Sequence, residues 1–432
     1  MKFASVLVAL GCFATAVLGQ WSEPVSVGDS TGYLEGFQLA PDGGDTLWAF
    51  YLLSDSGAPA PTHVCSRWSM GDSWSSQETL ATAAVYMFCI SSGVDPQRRV
   101  WLAWYDGNYL TLGDTWGIWT RAHDSLGWGD VQQAVQLPGV VGLNFSADKA
   151  GDWYMGICYQ NAPLPDLFSS ALYSRFDGDT WTGPYTIALG YGDPLDIDYG
   201  LPSLVARPDT GFWAVYSRRA LYEKDRVLVD HLIPDSSCVN DTVLYDVPWL
   251  AAVGDSAGQM WIIHVDTMGA AWSITYGTGG ERDRRLVTAD RRWGPAVCTD
   301  QMGWVWLLWT QSDTTLVVSY NRGNGWSAPE AVTSKTGSPV DIVSDQQGRI
   351  YVGFYDRHGS YWTCYRTSRP GVGGNAAVKR PAVGCRASVV RALPRDIVVF
   401  DAMGRRVLNP KSGVYFVREA QAQAVTKVVI HR

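Results

Sequence analysis

Charged side chains are scarce in this 432-residue chain, at 18%, against 46% hydrophobic residues. That ratio excludes a disordered polymer and leaves enough apolar surface for a large core. A basic face is missing too. The formal net charge is −8, and a nucleic-acid partner needs the opposite sign. Histidine is rare, with six scattered copies, no H-x-x-x-H pair and no Gly-x-Ser-x-Gly elbow anywhere in the chain. The usual zinc-hydrolase and serine-hydrolase signatures are therefore absent. Eight cysteines include no C-x-x-C, which excludes a metal knuckle or a dense disulfide framework. Most sit in apolar strand-like runs, such as Met87-Phe88-Cys89-Ile90, and read as small buried hydrophobes. One disulfide stays open after export, with no pair identified.

The single long apolar run lies at the start. Met1-Lys2, then Phe3 to Leu18, then Gly19-Gln20 has the basic start, hydrophobic stretch and small residue of a secretory signal peptide, so residues 1–19 are expected to be removed. The 16-residue run is marginal for a span, and no later segment is long enough to cross a bilayer. Charge then divides the chain. From Pro370 onward there are 11 basic and 3 acidic residues, a local +8 that leaves −16 for the rest. Arg369-Pro370-Gly371-Val372-Gly373-Gly374 reads as the linker at that boundary. The expected layout is a main domain over 20–369, a linker over 370–395 and a small module over 396–432.

What the chain has in quantity is 21 Trp, 21 Tyr and 45 Gly, a mixture that favours short strands and tight turns over helices. A short aromatic strand recurs with Trp48, Trp101, Trp153, Trp213, Trp261, Trp306 and Tyr351 at its reference position, every 45–60 residues. A second Trp follows a glycine turn in Gly71-Asp72-Ser73-Trp74, Gly127-Trp128, Gly178-Asp179-Thr180-Trp181 and Gly325-Trp326. Strands near Val243 and Leu286 take its place in two repeats. Such a period, holding about four strands, is the mark of an all-β, seven-bladed β-propeller. Each blade is covered by its neighbours on both faces, so its inner strands are free to be apolar on both sides, as Trp304 to Trp309 is. Trp21-Ser22-Glu23-Pro24 repeats the outer-strand pattern of Trp326-Ser327-Ala328-Pro329 with no blade before it. The last repeat has room for only three strands. Residues 21–27 are therefore expected to complete the seventh blade and shut the ring.

The outer turns resemble degenerate Asp-box repeats of sialidase-type propellers, whose pattern is Ser-x-Asp-x-Gly-x-x-Trp. Ser319-Tyr320-Asn321-Arg322-Gly323-Asn324-Gly325-Trp326 fits with Asn for Asp, while Gly178 with Trp181 and Gly71 with Trp74 keep the second half. The resemblance implies a fold, since such boxes serve turn geometry in that family. The tail resembles the C-terminal sorting domain of bacterial type IX secretion substrates. The matching residues are the Asp-x-x-Gly-Arg turn (Asp401, Gly404, Arg405), the Gly-Val-Tyr strand start (Gly413, Val414, Tyr415) and a closing Lys-Val-Val. That likeness implies a small antiparallel β module, a type IX translocon as partner, and a secreted or outer-membrane-surface address.

In a four-strand meander, turns between strands two and three share a face with the connections between blades. Asp55, Asp106, Asp266, Asp313 and Asp356 fall just after second strands and belong to that loop face. So does the longest connection, Leu189 to Gly200, with Tyr191, Asp193, Asp196 and Asp198. The insertions Gln160 to Ser169 and Ser217 to Arg226 join them, the latter carrying Arg218, Arg219, Tyr222 and Glu223. Long loops gathered on one face of a rigid scaffold are where binding sites form. The expected site is an acidic, aromatic-rimmed pocket centred on blades three and four, although Asp and Gly are also what turns require. Asp193, Asp196 and Asp198 offer the oxygen ligands Ca²⁺ takes, but such a trio is more often simply solvated, and neither metal nor cofactor is assigned.

A sialidase needs an arginine cluster, a Tyr nucleophile and an acid/base Asp. The first inner strand, Gly36-Phe37-Gln38-Leu39-Ala40-Pro41, lacks the arginine of that family, and no spacing singles out a trio. His264, within Ile262-Ile263-His264-Val265, reads as a hydrogen-bonded strand residue. The favoured reading is a non-catalytic exported propeller that binds a glycan or other extracellular polymer, because Trp and Tyr beside carboxylates suit sugar rings. The alternative is a glycoside hydrolase or lyase using carboxylates on the loop face.

Overall fold

The recurring aromatic strand is the second of the meander in each blade, and its burial explains its composition. Val305–Gln311 and Met260–Val265 are buried on both sides along almost their whole length, as strands sandwiched between neighbouring sheets must be. The computed structural model describes residues 21–366 apart from 28–32, 43, 55–61, 71–72, 84–86, 108–115, 148–150, 162–167, 190–196, 208–210, 221–222, 233–239, 246–248, 278–279, 290–292, 312–314, 334–335 and 357–359. In the tail it describes 388–390, 397–400, 413–419 and 425–430. The described residues form strands and turns with no helix.

Seven antiparallel sheets follow one another along the chain. Six are continuous in sequence, at 33–83, 87–135, 140–188, 197–245, 249–288 and 293–331. The seventh takes Gly337–Ser344, Ile350–Asp356 and Tyr361–Arg366, and its outer edge is supplied by Val25–Ser26 from the other end of the chain. Val25 stands opposite Thr363 and Ser26 opposite Trp362. The Val27 amide donates to the Tyr361 carbonyl at 3.0 Å, and the Trp21 indole donates to Glu330 at 3.0 Å on the sixth blade. The ring is thus shut as the orphan strand implied. A further bond joins the first blade to the seventh at the inner edge, where the Leu39 amide donates to Asp341 at 2.7 Å.

The outer tryptophans fasten adjacent blades. Trp181 of the third blade donates to Thr120 of the second at 3.1 Å, and Trp326 of the sixth donates to Ser273 of the fifth at 2.8 Å. Trp128 of the second packs edge-on against Trp48 and Phe50 of the first. The two blades without that Trp have outer strands in its place, Asn240–Tyr245 and Gly280–Thr288.

A second recurring device is an aspartate followed six positions on by Trp or Tyr. Asp95, Asp255, Asp300 and Asp345 begin the turns between first and second strands, and Asp266 and Asp356 begin turns between second and third. One carboxylate oxygen accepts the amide four residues on, at 2.8 Å from Arg99, 2.8 Å from Gln259 and 2.9 Å from Ala270. The other accepts the ring donor, at 2.8 Å from Trp101, 2.9 Å from Trp261, 2.9 Å from Trp272 and 2.8 Å from Trp362. The carboxylate therefore closes the turn and anchors the strand that leaves it. Asp300→Ala should cost about 2–4 kcal/mol in a denaturant titration, because the Met302 and Trp304 amides and the buried Trp306 indole all lose their acceptor.

The four described free cysteines support the reading as small hydrophobes. Cys65 and Cys158 are buried, Cys89 and Cys298 partly so, and burial pushes the Cys65 thiol up to about 11 and that of Cys89 to about 12. Cys238, Cys364 and Cys385 have no described side chain.

Contacts divide the chain into two compact units, the second running from Gly371 to Arg432. That unit is a four-stranded sheet in which Ile397–Phe400, Gly413–Glu419 and Val425–Ile430 pair antiparallel. Its fourth strand, Ser388–Val390, pairs parallel with Val425–Ile430 and comes from the stretch read as linker. Gly413, Val414 and Tyr415 begin the strand expected of them, while Asp401, Gly404 and Arg405 lie outside the described residues.

Candidate functional site

The loop face is built where second strands end. On the second blade, Val100–Asp106 ends in Tyr105 and Asp106. The Tyr105 hydroxyl accepts the Gly139 amide at 2.7 Å and so holds the connection to the third blade. Gly139 has φ 78°, and a Cβ there would stand 2.3 Å from the Gln160 carbonyl, so only glycine fits. Asp106 is partly buried, which pushes its carboxyl up. Burial also pushes up the Tyr159 phenol at the end of the third blade's second strand.

The connection from the third to the fourth blade does more than link them. Its residues Ile197–Tyr199 form an extra strand on the second strand of the fourth blade, Phe212–Ala220. In that ladder Asp198 stands opposite Arg219 and Tyr199 opposite Arg218. The register is fixed by Gly200, whose amide donates to the Ser217 carbonyl at 2.8 Å. A Cβ on Gly200 would lie 2.4 Å from the Ser217 hydroxyl. Farther along, the Asn144 side-chain amide of the third blade donates to the Pro202 carbonyl at 2.5 Å. Two sets of candidate residues that are 20 positions apart in sequence are thereby brought side by side.

Arg218 is half-buried and Arg219 exposed. Beneath them the same strand carries Tyr216, whose hydroxyl donates to Asp230 at 2.6 Å. Asp230 is 0% exposed, and burial raises its carboxyl to about 6 despite the tyrosine bond. This dyad was missed in the sequence because neither residue lies in a loop.

The other candidates are spread around the ring. Asp106, Asp266 and Asp356 belong to the second, fifth and seventh blades. Asp266 and Asp356 already serve their own turns, each accepting backbone amides and an indole. Burial pushes the Asp266 carboxyl up, but the Trp272 indole and two backbone amides outweigh it and hold it below the usual range. Tyr191, Asp193, Asp196 and Tyr222 lie outside the described residues, as do Asp55 and Asp313. Of Asp198 the strand position alone is described. Among the described residues no three His, Cys, Asp or Glu side chains are grouped to hold a metal ion, and no helix is long and apolar enough to cross a membrane. His264, expected to be hydrogen-bonded, has no partner on either ring nitrogen among the described residues.

No family model matches the chain, and no curated protein matches it. Solved structures do. An ulvan lyase of a new polysaccharide lyase family, bound to -[GlcA(1-4)Rha3S]-, superposes with a TM-score of 0.54 at 9% identity, over 79% of this chain and 95% of that one. The polysaccharide lyase Uly1 superposes with a TM-score of 0.52 at 8% identity, over 81% of this chain and 92% of that one. At such identities the feature this chain shares with them is the fold.

Proposed function

We propose that this chain is an exported β-propeller that binds a glycan, or another extracellular polymer, on its loop face at the third and fourth blades. The observation that carries the reading is the ladder of Ile197–Tyr199 on Phe212–Ala220, which sets Asp198 and Tyr199 beside Arg219 and Arg218. Asp, Tyr and Arg carry the carboxylate, phenol and guanidinium groups that suit the hydroxyls, ring faces and acidic substituents of a sugar chain. Binding without turnover is the primary reading.

A second reading is supported by the two lyases of the same fold. In it, an arginine neutralises a uronate carboxylate while a tyrosine or carboxylate moves the proton lost in elimination. A glycan array run with a paired turnover assay separates the two. Retention without product is the result expected for a binding protein. Unsaturated product that disappears with Arg218→Ala would establish the lyase, and neither retention nor product would end both.

Export and sorting belong to the same proposal. The apolar start, the charge reversal after Pro370 and the Gly413–Glu419 strand support a signal peptide and a type IX sorting tail. Deleting 381–432 should then leave the protein in the periplasm, and unchanged surface display would refute it. The turn at Ser319 to Trp326 supports a degenerate Asp-box: the Asn321 side chain accepts the Gly323 amide at 2.7 Å and the Gly325 amide at 3.3 Å.

A further inference from the structure

His264 lies in the second strand of the fifth blade, two residues before the Asp266 turn on the loop face. It is 1% exposed, and neither ring nitrogen has a hydrogen-bond partner among the described residues. In its ladder it stands between Leu250 and Trp272. Ile262, on the same side of the strand, packs into a cluster with Trp213, Val215, Val227 and Val229 of the fourth blade, so the wall beside Ile262 is apolar. Farther along that wall Arg219 is exposed. The charges that act on the imidazole come from its own blade: Arg284, which opposes a second positive charge, and Asp266, which favours one. The Asp266 carboxylate is already engaged by the Trp272 indole, while the Arg284 guanidinium lies over that indole at 4.8 Å.

We propose that His264 makes the fifth blade an acid-sensitive element of the loop face: a proton on this unpartnered imidazole has no acceptor, so acidification opens the Met260–Val265 strand and releases the Asp266 turn. Burial, with Arg284 adding to it, lowers the imidazole from its ordinary 6.5 to about 4. The opened strand regains the ordinary value. Between those two values the open form holds the proton and the closed form does not, so opening is favoured as pH falls. The carboxyls of Asp230 and Asp341, both raised to about 6 by burial, act in the opposite sense. They lie on the fourth and seventh blades, so they strengthen those blades as they take up protons, whereas Asp266, held below the usual range, weakens the fifth blade's turn in the same sense as His264.

The test compares the full chain with His264→Leu in urea titrations at about pH 7.5 and about pH 4, where the carboxylate contributions are common to both proteins. The ratio of wild-type to variant unfolding constants should rise on the order of 100-fold between the two conditions, following the width of the shift. Parallel profiles, within about threefold, would overturn the proposal. If the variant does not fold, amide exchange of the wild-type protein decides, corrected for the intrinsic pH dependence. The Met260–Val265 amides should open more readily as pH falls while those of Phe212–Ala220 do not. An equal response in both strands would overturn the proposal as well.

Discussion

Removing residues 21–27 should destabilise the propeller by on the order of 5 kcal/mol, a large part of the 5–15 kcal/mol that holds a typical domain together. The segment is short, but it places two hydrophobic side chains at the seam. Val27 is 1% exposed, and Trp21 packs onto the cluster shared by the sixth and seventh blades. Each contributes about 1.5–3 kcal/mol by removal from water. The indole bond to Glu330 and the Val27 amide bond to Tyr361 are lost as well. What remains is the bare edge of Tyr361–Arg366, a template for pairing with another chain. Urea titration and gel filtration of the shortened protein should therefore show both a lower midpoint and larger species. Trp21→Ala, which keeps the Val25–Ser26 ladder, should lose about 2 kcal/mol and stay monomeric. A shortened protein with the parent's midpoint and size would show that the ring does not depend on its closure.

The double variant Arg218→Ala/Arg219→Ala should weaken glycan binding roughly 100-fold, close to 3 kcal/mol. Each guanidinium bond to a sugar hydroxyl or acidic substituent is worth about 1.5–3 kcal/mol. The two positions are adjacent on one strand and so present its two opposite faces, and the double variant removes the guanidinium from both. Folding should change little at the exposed Arg219 and more at the half-buried Arg218, while the strand itself is held by Tyr216, Val215 and Trp213 in the blade interior. Lysine at both positions should restore only part of the affinity, since it keeps the charge and loses the planar fork. Calorimetric titration with a ligand found on the array measures both. Undiminished affinity in the double variant would move the site away from this edge.

Much of the fold was legible because it depends on patterns that repeat. The aromatic second strands gave the blade number through their spacing, and Trp21-Ser22-Glu23-Pro24 betrayed the closure by having no blade of its own. The aspartate staples were legible as well. Asp95 to Trp101, Asp255 to Trp261, Asp300 to Trp306 and Asp356 to Trp362 share one six-residue spacing. The site was less so. The pairing of Ile197–Tyr199 with Phe212–Ala220 depends on a close approach at Gly200 and Ser217, and a three-residue strand has too little periodicity to announce itself. Ser388–Val390 escaped for the same reason. Tyr216 with Asp230, and His264 without a described partner, sit in apolar strands where a polar side chain's neighbours depend on the pairing register with the next strand.

The location of the site is tested most directly by amide exchange of the intact protein with and without a bound oligosaccharide. Slowed exchange is expected at Ile197–Tyr199 and along Phe212–Ala220, with the turns at Asp300 and Asp345 on the opposite face unchanged. Protection at those turns instead, or none at Ile197–Tyr199, would contradict a binding face at the third and fourth blades.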